Sequence, residues 1–305
     1  MDLNTELYPF ESHFIEHEGG HQQHYIDEGP ASSPKDAQQE ESRCFLMVHG
    51  NPTWSFYFRN LVIGLRDRYR CVVPDHMGCG KSNKAQTYTY SLAQHIKNLE
   101  ALVLKLDLKN ITLVLHDWGG AIGMGLAKAQ PERIKGIVVL NTAAFLSPLI
   151  PFRIRICRWP ILGTFIIRAL NGFAGPALSM AVAKDNQLPK DVAKALISPY
   201  DSWANRVAVN AFVKDIPLGP EHPSWQSLAD IEASLSQFHH LPTLICWGAQ
   251  DFCFNLHFLE RWKEEFPQAK VNLYQDAGHY VLEDAGDRVL EAINDYMANQ
   301  SGENQ

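Results

Sequence analysis

A chain of 305 residues can bury a substantial core as one large domain or two smaller ones, and 46% hydrophobic with 20% charged residues excludes a disordered or fibrous polypeptide. The net charge of −7 excludes a phosphate-backbone partner, because binding DNA or RNA rests on clustered Lys and Arg that release counterions. The opening residues, MDLNTELYPFESHF, carry neither a basic segment nor a long apolar run, so no secretory signal is read and a cytoplasmic location is expected.

In chain order, Ser12 to Ile26 alternates polar and apolar residues around Gly19-Gly20, which predicts a β-hairpin. The same residues spell His17-Glu18-Gly19-Gly20-His21, a zinc-protease pattern that requires a helix. Two adjacent glycines would each cost that helix about 1 kcal/mol, so no metal is expected there. Pro30 to Ser42 is read as a solvated loop. Four β-branched, apolar runs follow at Cys44–Val48, Arg70–Val73, Ile111–Leu115 and Ile137–Leu140, and they suit strands buried on both faces of a parallel sheet. Gly80-Lys81-Ser82 echoes the end of a phosphate-binding loop, but Asp75 stands where its first glycine must be, so no nucleotide is implied. Leu92, Ile96, Leu99, Leu102, Val103 and Leu106 form one helical stripe.

After Leu140 the strand-helix rhythm stops for about a hundred residues, then resumes at Thr243–Trp247, Val271–Tyr274 and an amphipathic helix through Val289, Leu290, Ile293 and Tyr296. The pattern predicts a mostly parallel, doubly wound α/β sheet formed by 1–144 and 239–305, with an inserted helical cap over 145–238. Arg153, Arg155, Arg158 and Arg168 break the greasiest stretch, leaving no run near the roughly 20 apolar residues that a bilayer span requires. These arginines, interleaved with aliphatics, suit a solvated helix face, and a membrane surface, a partner protein or a second copy of the chain is the other reading. Phe152, Trp159, Phe165, Phe173, Trp203, Phe212 and Trp225 are expected to pack the cap or to roof a dry apolar pocket for a small-molecule substrate. Six scattered cysteines read as buried thiols.

The strongest chemical signal is Leu115-His116-Asp117-Trp118-Gly119-Gly120, which ends an apolar strand and opens a Gly/Ala-rich helix. A sharp strand-turn-helix lifts a nucleophile there, with Asp where esterases carry Ser. An N-cap aspartate is the plain alternative. Asp251 follows the strand ending at Trp247 and His279 the strand after it, both at C-terminal ends, giving the order nucleophile, acid, histidine. His116, His239 and His240 lack such a setting and are read as core or surface. Val48-His49-Gly50-Asn51-Pro52 ends the first central strand, where half of an oxyanion hole belongs, the other half being the N–H of Trp118.

The segments HGNPTWSFYFR, PDHMGCGKS, LHDWGG, WGAQD and DAGHY, in order and spread over almost the whole chain, resemble haloalkane dehalogenases of the α/β-hydrolase fold. The resemblance implies halide-donating side chains at Asn51 and Trp118, a catalytic Asp117–His279–Asp251 triad and no cofactor. One dehalogenase subfamily keeps an acid after the strand ending at Leu140; this chain has Asn141-Thr142, so Asp251 must be the acid. The combination is similar to a third subfamily that overlaps with β-lactone decarboxylases of olefin biosynthesis, which Asn141–Phe145, Tyr200–Trp203 and Asp215–Pro217 also resemble. The expected activity is therefore hydrolytic dehalogenation through an alkyl ester on Asp117, releasing halide and an alcohol. The alternative is decarboxylation of a long-chain cis-β-lactone by the same residues.

Overall fold

The apolar runs assemble into one eight-stranded sheet in the computed structural model, which describes residues 4–30 and 43–302. The strands are β1 (His13–His17), β2 (His21–Glu28), β3 (Cys44–Val48), β4 (Arg70–Pro74), β5 (Ile111–Asp117), β6 (Ile134–Thr142), β7 (Thr243–Gly248) and β8 (Lys270–Tyr274). Their order is β1-β2-β4-β3-β5-β6-β7-β8, antiparallel between β1, β2 and β4 and parallel from β4 onward. The hairpin stands where the alternation placed it, with His17 opposite His21 across the turn, so the zinc-protease pattern has no helix to sit on. The loop expected over Pro30 to Ser42 lies, beyond Pro30 itself, outside the described residues.

The helices are α1 (Arg59–Leu65), α2 (Leu92–Lys105), α3 (Gly119–Ala129), α4 (Phe152–Cys157), α5 (Pro160–Arg168), α6 (Ala174–Met180), α7 (Lys190–Ile197), α8 (Val207–Lys214), α9 (Trp225–Ser234), α10 (Leu256–Glu265), α11 (Val281–Asp284) and α12 (Gly286–Gly302). Side chains alternate across a strand, and β3, β5 and β6 are buried at every position but Lys135, so both faces need a cover. Leu46, Leu113, Leu115 and Val139 pack on one face with Leu99 and Leu102 of α2, while Phe45, Met47, Val114 and Val138 pack on the other with Leu61 of α1 and Val289 of α12. Each such side chain fully buried contributes about 1.5–3 kcal/mol. Ser91 caps α2 by accepting the Gln94 N–H.

The strands β5 and β6 run past Leu115 and Leu140 onto polar residues, Asp117 and Thr142. Apolarity could not mark those ends. Parallel neighbours satisfy the backbone there, and the polar side chains find buried partners of their own. Between β6 and β7 the chain runs through α4–α9; α4, α5, α6 and α8 share an apolar cluster that includes Ile154, Ile167, Ala174, Val209 and Val213, while Leu228 and Ile231 of α9 pack on the sheet's core. Among the described residues, no helix is long and apolar enough to cross a membrane.

Candidate active site

The turn between β5 and α3 carries Asp117 with φ +53°, in the left-handed region that costs a non-glycine residue energy. Three glycines let this turn form by close approach. A Cβ on Gly119 would lie 1.9 Å from the Val48 carbonyl oxygen, one on Gly120 2.1 Å from Thr142 Oγ1, and one on Gly50 2.0 Å from Asp117 Oδ1. Thr142 fastens the turn from β6: its hydroxyl donates to the Asp117 carbonyl and accepts from the Gly120 N–H. Because the clash at Gly119 is with backbone, Gly119→Ala is expected to destabilise the fold by ~1–3 kcal/mol or more. Urea unfolding checks this, and an unchanged midpoint would count against the packing described.

The structure brings Asp117, His279 and Asp251 into one buried chain. Asp117 Oδ1 accepts the Asn51 backbone N–H at 2.7 Å, and Asp117 Oδ2 lies 3.5 Å from His279 Nε2. His279 Nδ1 lies 2.8 Å from Asp251 Oδ2. The acid is itself held on all sides: its Oδ1 accepts the Cys253 and Phe254 N–H groups at 2.6 and 2.9 Å, and its Oδ2 also accepts Asn141 Nδ2 at 3.0 Å. Asn141 further exchanges hydrogen bonds with the Gly248 backbone, locking the β6 and β7 ends together.

Burial by itself would lower the His279 pKa, but the charge of Asp251 and the hydrogen bonds to both carboxylates outweigh it and raise it to about 10. Burial would likewise raise that of Asp117, yet the bond to His279, its charge and the Asn51 N–H leave it below the ordinary carboxylate value. The resting state at neutral pH is therefore an imidazolium between two carboxylates. The raised imidazole adds stability that is complete below its ordinary pKa and is lost as pH rises through about 10.

The other predicted residues fall beside this chain. The Asn51 side chain donates to the Val209 carbonyl at 3.2 Å, and its Oδ1 is buried with no partner among the described residues. Trp118 packs its ring on Phe212, and its indole N–H has no hydrogen-bond partner among the described residues. Sequence reasoning passed over four supporting residues. His116 donates from Nε2 to the His279 carbonyl, 2.9 Å away, with the two rings 4.6 Å apart. The Phe254 ring stacks on His279. Asn141, noted for not being acidic and for the resemblance of its segment to the decarboxylases, is the brace of the acid. Cys253, read as one of six buried thiols, is half-buried and lines the site; all six cysteines are free.

Two apolar cavities meet at Asp117, sharing Asn51, Ile154, Phe173 and Cys253 in their walls. One, about 130 Å³, passes Trp118, Phe145, Val213, Leu228 and Phe258. The other, about 310 Å³, passes His279, Tyr280, Ile156, Ile166 and Met180. Of the seven aromatics expected to pack or roof this region, Phe173 lines these two cavities and Phe212 is buried in the core, while Phe152, Trp159, Phe165 and Trp203 are exposed. Their side of the short helices was set by packing, not by residue type.

The pattern of the α/β-hydrolase fold family matches residues 44–286. A cis-3-alkyl-4-alkyloxetan-2-one decarboxylase of Shewanella oneidensis is 47% identical over 297 residues, covering 95% of this chain and 89% of that protein. Haloalkane dehalogenase 2 of Mycobacterium bovis is 29% identical over 304 residues, covering 95% of this chain and 96% of that protein. In three dimensions the haloalkane dehalogenase DbeA of Bradyrhizobium elkani superposes with a TM-score of 0.84 at 22% identity, covering 96% of this chain and 99% of that one.

Proposed function

Since the chain belongs to the α/β-hydrolase fold family, among the relatives of haloalkane dehalogenases and cis-3-alkyl-4-alkyloxetan-2-one decarboxylases, we propose that it decarboxylates a cis-3,4-dialkyl β-lactone to an olefin. The observation that carries this reading is the pair of apolar cavities diverging from one carboxylate. A small haloalkane needs one such arm. A lactone with alkyl chains on adjacent ring carbons needs two, and desolvating both chains supplies binding at about 0.8 kcal/mol per buried methylene.

In this reading Asp117 attacks the ring carbon C4 from the rear, the C4–O bond breaks, and an alkyl ester forms while the ring carboxylate is set free. Trp118 and the second amide hydrogen of Asn51, which line the same cavity as Asp117, would receive that anion as it develops. The bond from C3 to the carboxyl carbon then breaks, its electron pair forms the C3–C4 double bond, and the ester oxygen leaves C4. Carbon dioxide departs and Asp117 is restored, with no water consumed. The His279 imidazolium, bonded toward Asp117, stabilises the departing carboxylate, and Asp251 holds its orientation. Inversion at C4 followed by anti loss of the two groups converts a cis lactone into a cis olefin.

Hydrolytic dehalogenation is the second reading, favoured by the unpartnered Trp118 N–H beside Asn51, which would receive a halide as readily as a carboxylate. There, esterification removes the Asp117 charge, the His279 pKa falls, and the imidazole activates water. The two readings part in one assay. Purified protein with a long-chain cis-3,4-dialkyl β-lactone is expected to release the cis olefin, while 1,2-dibromoethane gives little halide. Halide release without olefin selects the dehalogenase, and a trans olefin refutes the two-step stereochemistry.

A further inference from the structure

We propose that the outer face of α4 and α5 docks this protein on an anionic lipid bilayer. In α5, Ile161, Leu162 and Phe165 project to one side and are exposed, Ile161 to 87%, while Gly163 and Ile167 on the opposite side are buried. Phe152 of α4 is 72% exposed and Trp159 between the helices 53%. That is a contiguous apolar surface along two packed helices, with a tryptophan of the kind enriched at membrane interfaces.

Charge selects the occupant. In a chain with 34 acidic residues, none occurs between Glu132 and Asp185, whereas Arg153, Arg155, Arg158 and Arg168 fall inside that span. Arg153 and Arg155 are exposed and have no acidic partner among the described residues. Apolar side chains with arginine around them, on a short amphipathic segment, are what an interfacial element offers to anionic headgroups. A second copy fits less well, because a two-fold interface would bring the same acid-free, cationic surface against itself.

The opposite sides of these helices make the docking useful. Ile154 of α4 and Ile166 of α5 line the larger cavity that ends on Asp117, so the wall between lipid and carboxylate is one helix thick, ~10 Å. A dialkyl substrate dissolved in a bilayer would enter from the side that the bilayer covers. This purpose rests on the lactone reading, whereas the docking itself does not.

Co-sedimentation tests it, using vesicles of phosphatidylcholine with a quarter phosphatidylglycerol, and vesicles of phosphatidylcholine alone. The wild type is expected to pellet with the anionic vesicles, at least tenfold less with neutral ones, and less at high salt. The double variant Ile161→Glu/Phe165→Glu, and separately Arg155→Glu, are expected to weaken binding at least tenfold. Unchanged circular dichroism and unchanged turnover of detergent-dispersed lactone show that each variant is folded. Wild type that stays in solution, binds neutral vesicles equally, or is matched by both variants overturns the proposal. So does a dimer on light scattering that the double variant dissolves, which reassigns the face to a protein contact. Vesicle binding without any olefin keeps the docking and removes the lactone reading instead.

Discussion

Asp117→Asn is expected to lower kcat/KM for the lactone by roughly 10⁴–10⁶-fold, the scale on which loss of a nucleophile acts. Asparagine is the informative replacement because it accepts the left-handed φ of +53° that the turn imposes, so the elbow keeps its shape. Its oxygen can still accept the Asn51 N–H. What goes is the negative charge and the attacking pair of electrons. The change also takes away one of the two carboxylates that hold a proton on His279, so the imidazole pKa falls. Initial rates of olefin release measure the effect, with intact mass confirming that the amide has not hydrolysed to aspartate. A variant that keeps more than about 1% of wild-type rate would remove Asp117 from the chemistry, and with it both readings of this site.

The elbow was readable because everything that makes it is local. An apolar strand, an aspartate and two glycines are adjacent in sequence, and the glycines are there because Val48 and Thr142 leave no space for a Cβ. Asp251 and His279 were readable for a different reason: parallel strands put their C-terminal ends on one edge, so order along the chain becomes proximity in space. The brace around the acid was not readable in this way. Asn141 meets Asp251 across a register that depends on how β6 and β7 pair, and Cys253 and Phe254 contribute backbone N–H groups, which no residue type announces. The helices between β6 and β7 were least legible of all. Phe165 and Ile166 are neighbours of similar hydrophobicity, yet one faces solvent and the other lines a cavity, because a short helix takes its orientation from what it packs on.

His279 separates the two chemistries more sharply than any other residue. With lactone, His279→Gln is expected to slow olefin release by about 10²–10⁴-fold, the usual range for a proton-bearing group that assists departure. The first step needs only the carboxylate, which stays ionised, so the ester should accumulate. Its mass increment should equal the whole lactone, because carbon dioxide is lost only afterwards, and peptide mapping should put it on Asp117. An adduct on any other residue, or full olefin release by the variant, sinks the assignment. The pH dependence of the wild type makes the same division. A departing carboxylate wants the imidazolium, so kcat for the lactone should fall at alkaline pH as His279 loses its proton in the ester, at a pH lowered by the loss of the Asp117 charge, while kcat/KM, set by Asp117 attack, should show an acid limb below the ordinary carboxylate value where Asp117 protonates. Ester hydrolysis wants the neutral imidazole, so kcat for a haloalkane would instead rise with pH. A falling alkaline limb with lactone would mean that the two carboxylates flanking His279 serve to keep a proton in the site, the opposite of what a water-activating base requires.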